Sequence, residues 1–397
     1  MNILYYNWDE FNGEDCRDAM IRLGHVVDTF RLNLQGYVVT EELDNLIREA
    51  ADKRSEDGKR YYDCLFSFDF FPNLSEVCQE YELPYISWVF DCPHYTLDSP
   101  SVNNPVNRVF LFDRMLYEEM RQKGIDTVRY SPLGVNELRL SEVCRELDAE
   151  TDGHIIYEHD VCFLGNLYDN EYNFYDQVNY LPEELKGYLD GVIASQERFF
   201  GNDLFGDKSV VPDEMLAELK KYINFENTGA YGIDYDKVLL DILRKKVTVN
   251  ERHNILKEMG KHFDTVLYTQ PGAVPIENVK NLGLAHYVQK MPRVFHRSKI
   301  NLNINLRSIK SGVSLRVVDV LAAGGFLITS YQPEIAEYFE NGKDLAIAYT
   351  PEDMVALTAY YLEHEDERKE IALNGQKKVF ENFAYSRLLT DILSSCG

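Results

Sequence analysis

Residues 300–330 constrain the fold more than any other stretch. The run INLNINL (300–306) alternates Ile300, Leu302, Ile304 and Leu306 with Asn301, Asn303 and Asn305, which is the period of a strand. SGVSLRVVDVLAAGG follows, an amphipathic helical pattern closed by Gly324 and Gly325, and then the apolar run FLIT (326–329). Glycine adopts the left-handed conformation that stops a helix cheaply, so this helix feeds directly into a second strand. A strand, a helix and a strand in that order make a parallel pair. In open α/β sheets ligands bind beyond the carboxyl ends of the strands, so the turn from 305 to 319 is expected to form one wall of a site.

The same alternation runs through the chain. Strand patterns at 2–7, 26–30, 62–68, 84–90, 108–112 and 127–132 are separated by helical patterns at 14–24, 40–52, 74–82 and 114–123. A polar, acidic stretch at 133–160 reads as a linker. Strand patterns resume at 161–165, 264–269, 285–289, 300–306, 326–330 and 345–349, and the tail is helical. Between about 170 and 260 the pattern is helical throughout, too long for a loop, and predicts a helical insert. The expected architecture is α/β: two doubly wound, Rossmann-like domains facing a cleft. The first domain is placed at 1–150 and the second at 151–377, with 378–397 as a final helix crossing back to the first.

Net charge limits the partners. With 66 acidic and 41 basic residues the chain carries −25, against a nucleic-acid or anionic-membrane partner, since both need clustered cations. The seven cysteines are scattered and lack a CxxC pair, which predicts reduced thiols. The opening MNILYYNWDE is not a basic region followed by an apolar one, and no run approaches the length of a membrane span. A soluble, cytoplasmic protein with no integral membrane segment is expected.

The 305–319 turn offers chemistry. A helix start has unpaired amides and partial positive charge, suited to a phosphate, and Gly312, Val313 and Ser314 allow close approach there. Arg316 adds a planar donor fork, and Asp319 could accept from a pair of ribose hydroxyls. Arg307 and Lys310 lie in the loop before it. Equally, Arg316 and Asp319 could form an ordinary i,i+3 ion pair, with the serines as caps and the loop cations solvated.

From NLNINLRSIKSGVSLRVVDVLAAGGFLITSYQPEIAEYF through EIALNGQKKVFENFAYSRL, the chain resembles the C-terminal domain of the spore-maturation, CgeB-like glycosyltransferases, which are GT-B enzymes. The segments YDCLFSFDFFPNLSEVCQEYELPYISWVFDCPHY and NRVFLFDRMLYEEMRQKGIDTVRYSPLGVN resemble the N-terminal domain that commonly precedes it. The resemblance implies a GT-B transferase taking a nucleotide-sugar donor, UDP-sugar first and guanosine-based second, without a metal or other cofactor. It implies a donor site on the second domain at Asn305, Arg307, Gly312, Val313, Ser314, Arg316 and Asp319, with Gly165 and Asn166 at a turn and Val288 on a strand passing the nucleobase. Asp319 aligns with the acid that contacts ribose in many such enzymes. The partner acid eight residues earlier is replaced by Ser311.

On the acceptor side, WVFDCPHY (88–95) places Asp91 and His94 just past an apolar strand, where either could take a proton from an acceptor hydroxyl. A turn cap and a partly buried histidine are the structural alternatives. The loop NWDEFNGED offers Asp9, Glu10, Asn12 and Gly13 in the same way. The Asp234-Tyr235-Asp236 triplet opens a helix, where acids belong anyway, and His253, His262, His286 and His296 show no ligand spacing, so no metal site is expected. The function expected is transfer of a sugar to a hydroxyl of a glycan, protein or other acceptor. An epimerase or hydrolase on this architecture, or a non-catalytic binding scaffold, are the alternatives.

Overall fold

The computed structural model describes residues 1–34, 36–151, 155–170, 173–178, 180–223 and 232–396. The chain divides into two compact units: Met1–Asn136 with Glu226–Asp234 and Phe383–Gly397, and Glu137–Phe225 with Tyr235–Asn382.

The first unit is built in chain order from β1 (Asn2–Tyr6), α1 (Gly13–Arg22), β2 (Val26–Phe30), α2 (Glu41–Asp52), β3 (Cys64–Phe68), α3 (Pro72–Glu80), β4 (Tyr85–Val89), β5 (Asn107–Leu111), α4 (Arg114–Gln122) and β6 (Val128–Tyr130). The strands form one parallel sheet in the order β2-β1-β3-β4-β5-β6. Chain direction across the sheet reverses between β1 and β3, the point at which open sheets leave a crevice. β3 and β4 are buried at every position, as strands covered on both faces must be. Side-chain caps start the helices: Thr40 accepts from the Leu43 amide, and Asp113 from that of Leu116. The chain end returns to this unit, where the ring of Tyr385 packs edge-on against Trp88 at 5.6 Å. The two segments bond as Val135 N to Phe383 O and Tyr385 N to Val135 O, each at 2.9 Å. Gly134 permits that approach, because a Cβ there would stand 2.8 Å from Phe383 O.

The second unit contains α5 (Glu137–Ala149), β7 (His159–Leu164), α6 (Glu183–Gln196), α7 (Asp213–Leu219), α8 (Tyr235–His262), β8 (Thr265–Tyr268), β9 (Val279–Asn281), α9 (Met291–His296), β10 (Ser298–Asn303), α10 (Leu315–Ala322), β11 (Leu327–Ser330), α11 (Pro333–Tyr338), β12 (Ala346–Ala348), α12 (Pro351–Glu363) and α13 (Glu365–Asn382); α14 (Tyr385–Ser394) belongs to the first. Its sheet is also parallel, in the order β12-β11-β10-β7-β8-β9, and reverses between β7 and β10. Ile300, Leu302 and Ile304 join the apolar core with Ile255, Leu256 and Met259 of α8. A separate cluster of Leu189, Ile193, Phe205, Leu216, Leu239 and Leu243 holds α6, α7 and the first half of α8 together.

Three expectations are corrected. The stretch at 133–160 is not a linker throughout, since Glu137–Ala149 is helical; Leu140, Cys144 and Leu147 are buried at helical spacing and its polar residues are merely the solvent face. The insert expected at about 170–260 is not separate from the sheet throughout: its last helix, Tyr235–His262, runs 28 residues and its second half packs on the sheet itself. The strand expected at 285–289 is a turn, in which the amides of Lys290 and Met291 bond His286 O. The edge strand lies instead at Val279–Asn281, too short and polar to show a period.

Candidate functional site

At the carboxyl end of β10 the alternating asparagines form a network. Asn303 Nδ2 donates to Asn305 Oδ1 and to Thr329 Oγ1, both at 2.9 Å, and Asn305 N donates to Ser330 Oγ at 3.0 Å. The Ser314 hydroxyl donates to Asn305 Oδ1 at 2.9 Å. Ser314 is the N-cap of α10, yet its side chain makes no cap bond to the helix. Among the described residues no side-chain cap of that kind closes the helix start, which lies beside buried Gly312 and Val313.

One turn into α10, Arg316 Nη1 lies 3.3 Å from Asp319 Oδ2, the i,i+3 pair of the simpler reading. Asp319 is 4% exposed, and its Oδ1 also accepts from Tyr287 OH at 2.9 Å. The guanidinium of Arg316 sits over the ring of Phe295 and donates to Met291 Sδ. Val288, in the turn with Tyr287, accepts from Arg139 Nη1 through its carbonyl at 3.2 Å. A carboxylate also stands at position 311 in space although not in sequence: Ser311 Oγ donates to Glu334 Oε1 at 2.7 Å, and Glu334 is 1% exposed.

Arg307 is committed to protein. Its Nε donates to Glu251 Oε1 and Oε2 at 3.1 and 3.0 Å, its Nη2 to Phe199 O at 2.7 Å, and its amide to Thr248 Oγ1 at 3.0 Å. Arg252, one residue along α8 from Glu251, is different and was invisible to sequence reasoning. It is 8% exposed, and its guanidinium donates to Ile304 O beyond β10, at 2.7 and 3.2 Å, and to Asn166 O beyond β7. It bridges the two strand ends at which the sheet order reverses. Among the described residues no carboxylate lies within ion-pair distance of it; the rings of Phe163 and Tyr168 flank it, and Arg316 adds like charge nearby. Burial, with that repulsion a smaller part, holds its pKa below the ordinary value against the favourable influence of Tyr168 and Glu251. Gly165 and Asn166 make the turn below, where Asn166 Oδ1 accepts from the Tyr168 amide at 2.8 Å and Tyr168 takes φ +58°. Only an alternating helix pattern marks this stretch in the sequence, so nothing there singles out Arg252.

In the first unit, Asp69, Asp91 and His94 each place one ligand atom within 4.8 Å of the others, and among the described residues they alone form a group able to hold a metal ion. Asp69 lies just past β3 at φ +57°, 2% exposed, and its Oδ1 accepts from the amides of Phe90 and Asp91 at 3.0 and 3.1 Å. Burial pushes its carboxyl up to about 7. The protein around Asp91 and the charge of Asp69 push Asp91 up to about 7 as well, with His94 opposing. Water reaches Asp91, so the charge of Asp69 is the firmer of those causes. His94 Nε2 accepts from the Phe70 amide at 3.0 Å and meets Thr96 Oγ1 at 2.7 Å, and burial lowers its pKa. A neutral imidazole protonated on Nδ1 fits those contacts.

The Asn12–Gly13 start of α1 is buried. Among the described residues Asn12 Oδ1 has no hydrogen-bond partner, and a Cβ on Gly13 would meet Glu10 Oε1 at 1.8 Å, because Glu10 folds back to accept from Tyr5 OH at 2.6 Å. These residues brace the loop and do not present a free carboxylate. Elsewhere, Asp236 pairs with Lys220 at 2.6 Å, His253 with Asp169 at 2.9 Å, and His296 with Ala323 O at 2.9 Å.

Residues 252–394 match the family model described as glycosyl transferase-like. No curated protein matches the chain. Among solved structures, an alpha-glucosyltransferase in complex with UDP-glucose and DNA containing an abasic site superposes with a TM-score of 0.53 at 9% identity, covering 100% of this chain and 98% of that one. A glycosyltransferase from Rickettsia africae gives 0.51 at 11%, covering 100% and 97%, and Anabaena HepE in complex with UDP and glucose gives 0.50 at 11%, covering 100% of each. At such identity the likeness is one of fold: two Rossmann-like domains with parallel six-stranded sheets, as in GT-B glycosyltransferases.

Proposed function

We infer that this chain, which carries a glycosyltransferase family domain on a GT-B fold, is a transferase whose nucleoside diphosphate sugar donor binds beyond the carboxyl ends of β7 and β10. The observation that carries the reading is Arg252. Its burial outweighs the support it draws from Tyr168 and the more distant Glu251, so an anion joining it would be stabilised, and it spans the strand ends at which such sheets bind ligands. The open amides of α10 supply a second anion-binding element at the same end of β10. Arg252 and those amides take the diphosphate; Gly312, Val313 and Ser314 admit it closely, and Gly165 and Asn166 form the floor. Asn305 orients Ser314 toward it. Asp319, aimed by Tyr287 and Arg316, accepts from the ribose, and the turn at Val288 borders the base. Arg307 positions α8 through Glu251 and does not touch the phosphates.

The reaction follows from these roles. As the acceptor oxygen bonds to the anomeric carbon, the bond from that carbon to the donor phosphate oxygen breaks, and the nucleoside diphosphate leaves with the electron pair. Its charge is met by Arg252, Arg316 and the helix amides. Asp91 takes the acceptor proton, and His94 and Asp69 set its position and proton affinity. No metal is needed for the leaving group where a buried cation already faces it. Anabaena HepE, of the same fold, is seen with UDP and glucose, which puts UDP first among the donors to test.

A thermal-shift panel of UDP, GDP, dTDP, CDP and ADP tests the reading. Saturation at about a hundred times the dissociation constant stabilises a folded protein by about 2.7 kcal/mol. A shift selective for UDP, followed by sugar release from UDP-sugars only when an acceptor is present, is expected. A cooperative unfolding transition that none of the five moves would remove the donor site.

A further inference from the structure

The carboxyl end of the first sheet contains a cavity that the donor reading leaves unused. It lies beyond the ends of β1 and β2, holds about 440 Å³, and has Trp8, Tyr37 and Phe71 together with Asn7, Asp9 and Arg31 among its walls. Trp8 and Phe71 follow β1 and β3, the two strands between which this sheet reverses.

The rings are fixed before any ligand arrives. The indole of Trp8 stacks on Phe90 with centroids 5.9 Å and planes 7° apart, and its Nε1 donates to Phe68 O at 3.1 Å. Phe71 stands edge-on to Tyr6 at 5.0 Å and lies 6.2 Å from Tyr37. Rigid rings give contact area at little entropic cost. The polar groups are also placed: Arg31 Nη1 meets Asp9 Oδ1 at 2.9 Å, both side chains largely open to water. Asp9 holds φ +69°, with its amide donating to Asn7 Oδ1 at 2.9 Å, a turn that aspartate tolerates well.

A ligand matched to these walls has an apolar face for the rings, an edge that both donates and accepts, and no net charge, because Asp9 and Arg31 cancel. A pyranose is built this way. Its axial C–H bonds present a weakly positive face to the negative face of an aromatic ring, and its rim hydroxyls can donate to Asp9 and accept from Arg31. A phosphorylated ligand would find no surplus cation among these residues. We propose that this cavity is a subsite for a neutral pyranose, so that, on the transferase reading above, the acceptor is a glycan.

Saturation-transfer NMR on the full chain with methyl glycosides and disaccharides of neutral sugars, without nucleotide, tests the proposal. Uridine and a serine-rich peptide are run beside them, and UDP binding is measured separately by calorimetry. Saturable glycoside binding at millimolar concentration is expected, weakened at least about tenfold by Arg31→Ala and by Tyr37→Ala with an unchanged melting temperature. Binding of UDP with no glycoside bound overturns this inference and leaves the donor site standing, whereas glycoside binding without UDP does the reverse. Glycoside binding that both variants leave intact, or binding of uridine or peptide that either variant abolishes, also overturns it.

Discussion

The phenol of Tyr287 donates to Asp319 Oδ1 at 2.9 Å while Arg316 Nη1 lies 3.3 Å from Oδ2, so one buried carboxylate is aimed by two neighbours on either side. The ion pair that a plain helix would show is present, but it is not a surface pair: Asp319 is 4% exposed and tied to a turn outside its own helix. A carboxylate held in that way suits recognition of a fixed pair of hydroxyls.

Asp319→Asn keeps the shape and removes the charge. It is expected to weaken UDP binding by at least about tenfold, the worth of one charge-assisted hydrogen bond, and to leave 2′,3′-dideoxy-UDP almost unaffected. Calorimetry with both nucleotides checks this. Equal losses for the two would place Asp319 away from the ribose.

Arg307 was as attractive as Arg316 in the sequence, and the structure gives it to Glu251. Removing one partner of a buried pair leaves an uncompensated charge, so Arg307→Ala should cost about 3–5 kcal/mol of stability. Replacing both, Arg307→Met with Glu251→Leu, should recover most of that loss. Urea unfolding of the three proteins decides it, and UDP affinity of the double variant should stay near that of the parent.

The contrast between these arginines shows how far the sequence could be read. The alternation of Ile300, Leu302 and Ile304 with three asparagines predicts the strand, because a strand has a period of two; that Asn303 and Asn305 bond each other at its end is a finding of the structure. The parallel order of both sheets followed from strand and helix patterns in turn. What stayed hidden is pairing across distance. Arg252 lies 52 residues from Ile304 and 86 from Asn166, inside a helical pattern that gives each charge the same weight. Glu334 reaches Ser311 over 23 residues, and Asp69 carries no motif, since its role depends on a left-handed turn after β3.

Asp69 sets a pH dependence whose sign is opposite to that of a salt-bridged acid. Its carboxyl is raised to about 7 in the folded chain, whereas an unfolded aspartate titrates near about 4. Between those values the folded state binds more protons, so stability falls as pH rises from about 4 to about 7 and is level above that. Asp69→Asn keeps the acceptor for the amides of Phe90 and Asp91 and makes that fall shallower, leaving the part due to Asp91. Urea unfolding across this window compares the two proteins; parallel curves would show that Asp69 does not titrate there. In turnover, the limb that rises with pH through about 7 in the parent should move to lower pH in Asp69→Asn, because Asp91 loses a neighbouring negative charge.

The grouping of Asp69, Asp91 and His94 permits a direct check on metal dependence. The account assigns the leaving-group charge to Arg252, so a chelator should leave UDP affinity and transfer unchanged. A loss of transfer on chelation, restored by a divalent ion that binds the parent in calorimetry and not Asp91→Asn, would instead make this trio a metal centre.

Calorimetric titration of UDP and of uridine into the parent and Arg252→Gln tests whether Arg252 holds the donor diphosphate. UDP is expected to bind the parent much more tightly than uridine does. The substitution should cost UDP about 1.5–3 kcal/mol, the range for hydrogen bonds to a charged group, while uridine binds both proteins equally. UDP binding that the folded variant retains in full would contradict it, and the diphosphate would have to lie elsewhere than the ends of β7 and β10.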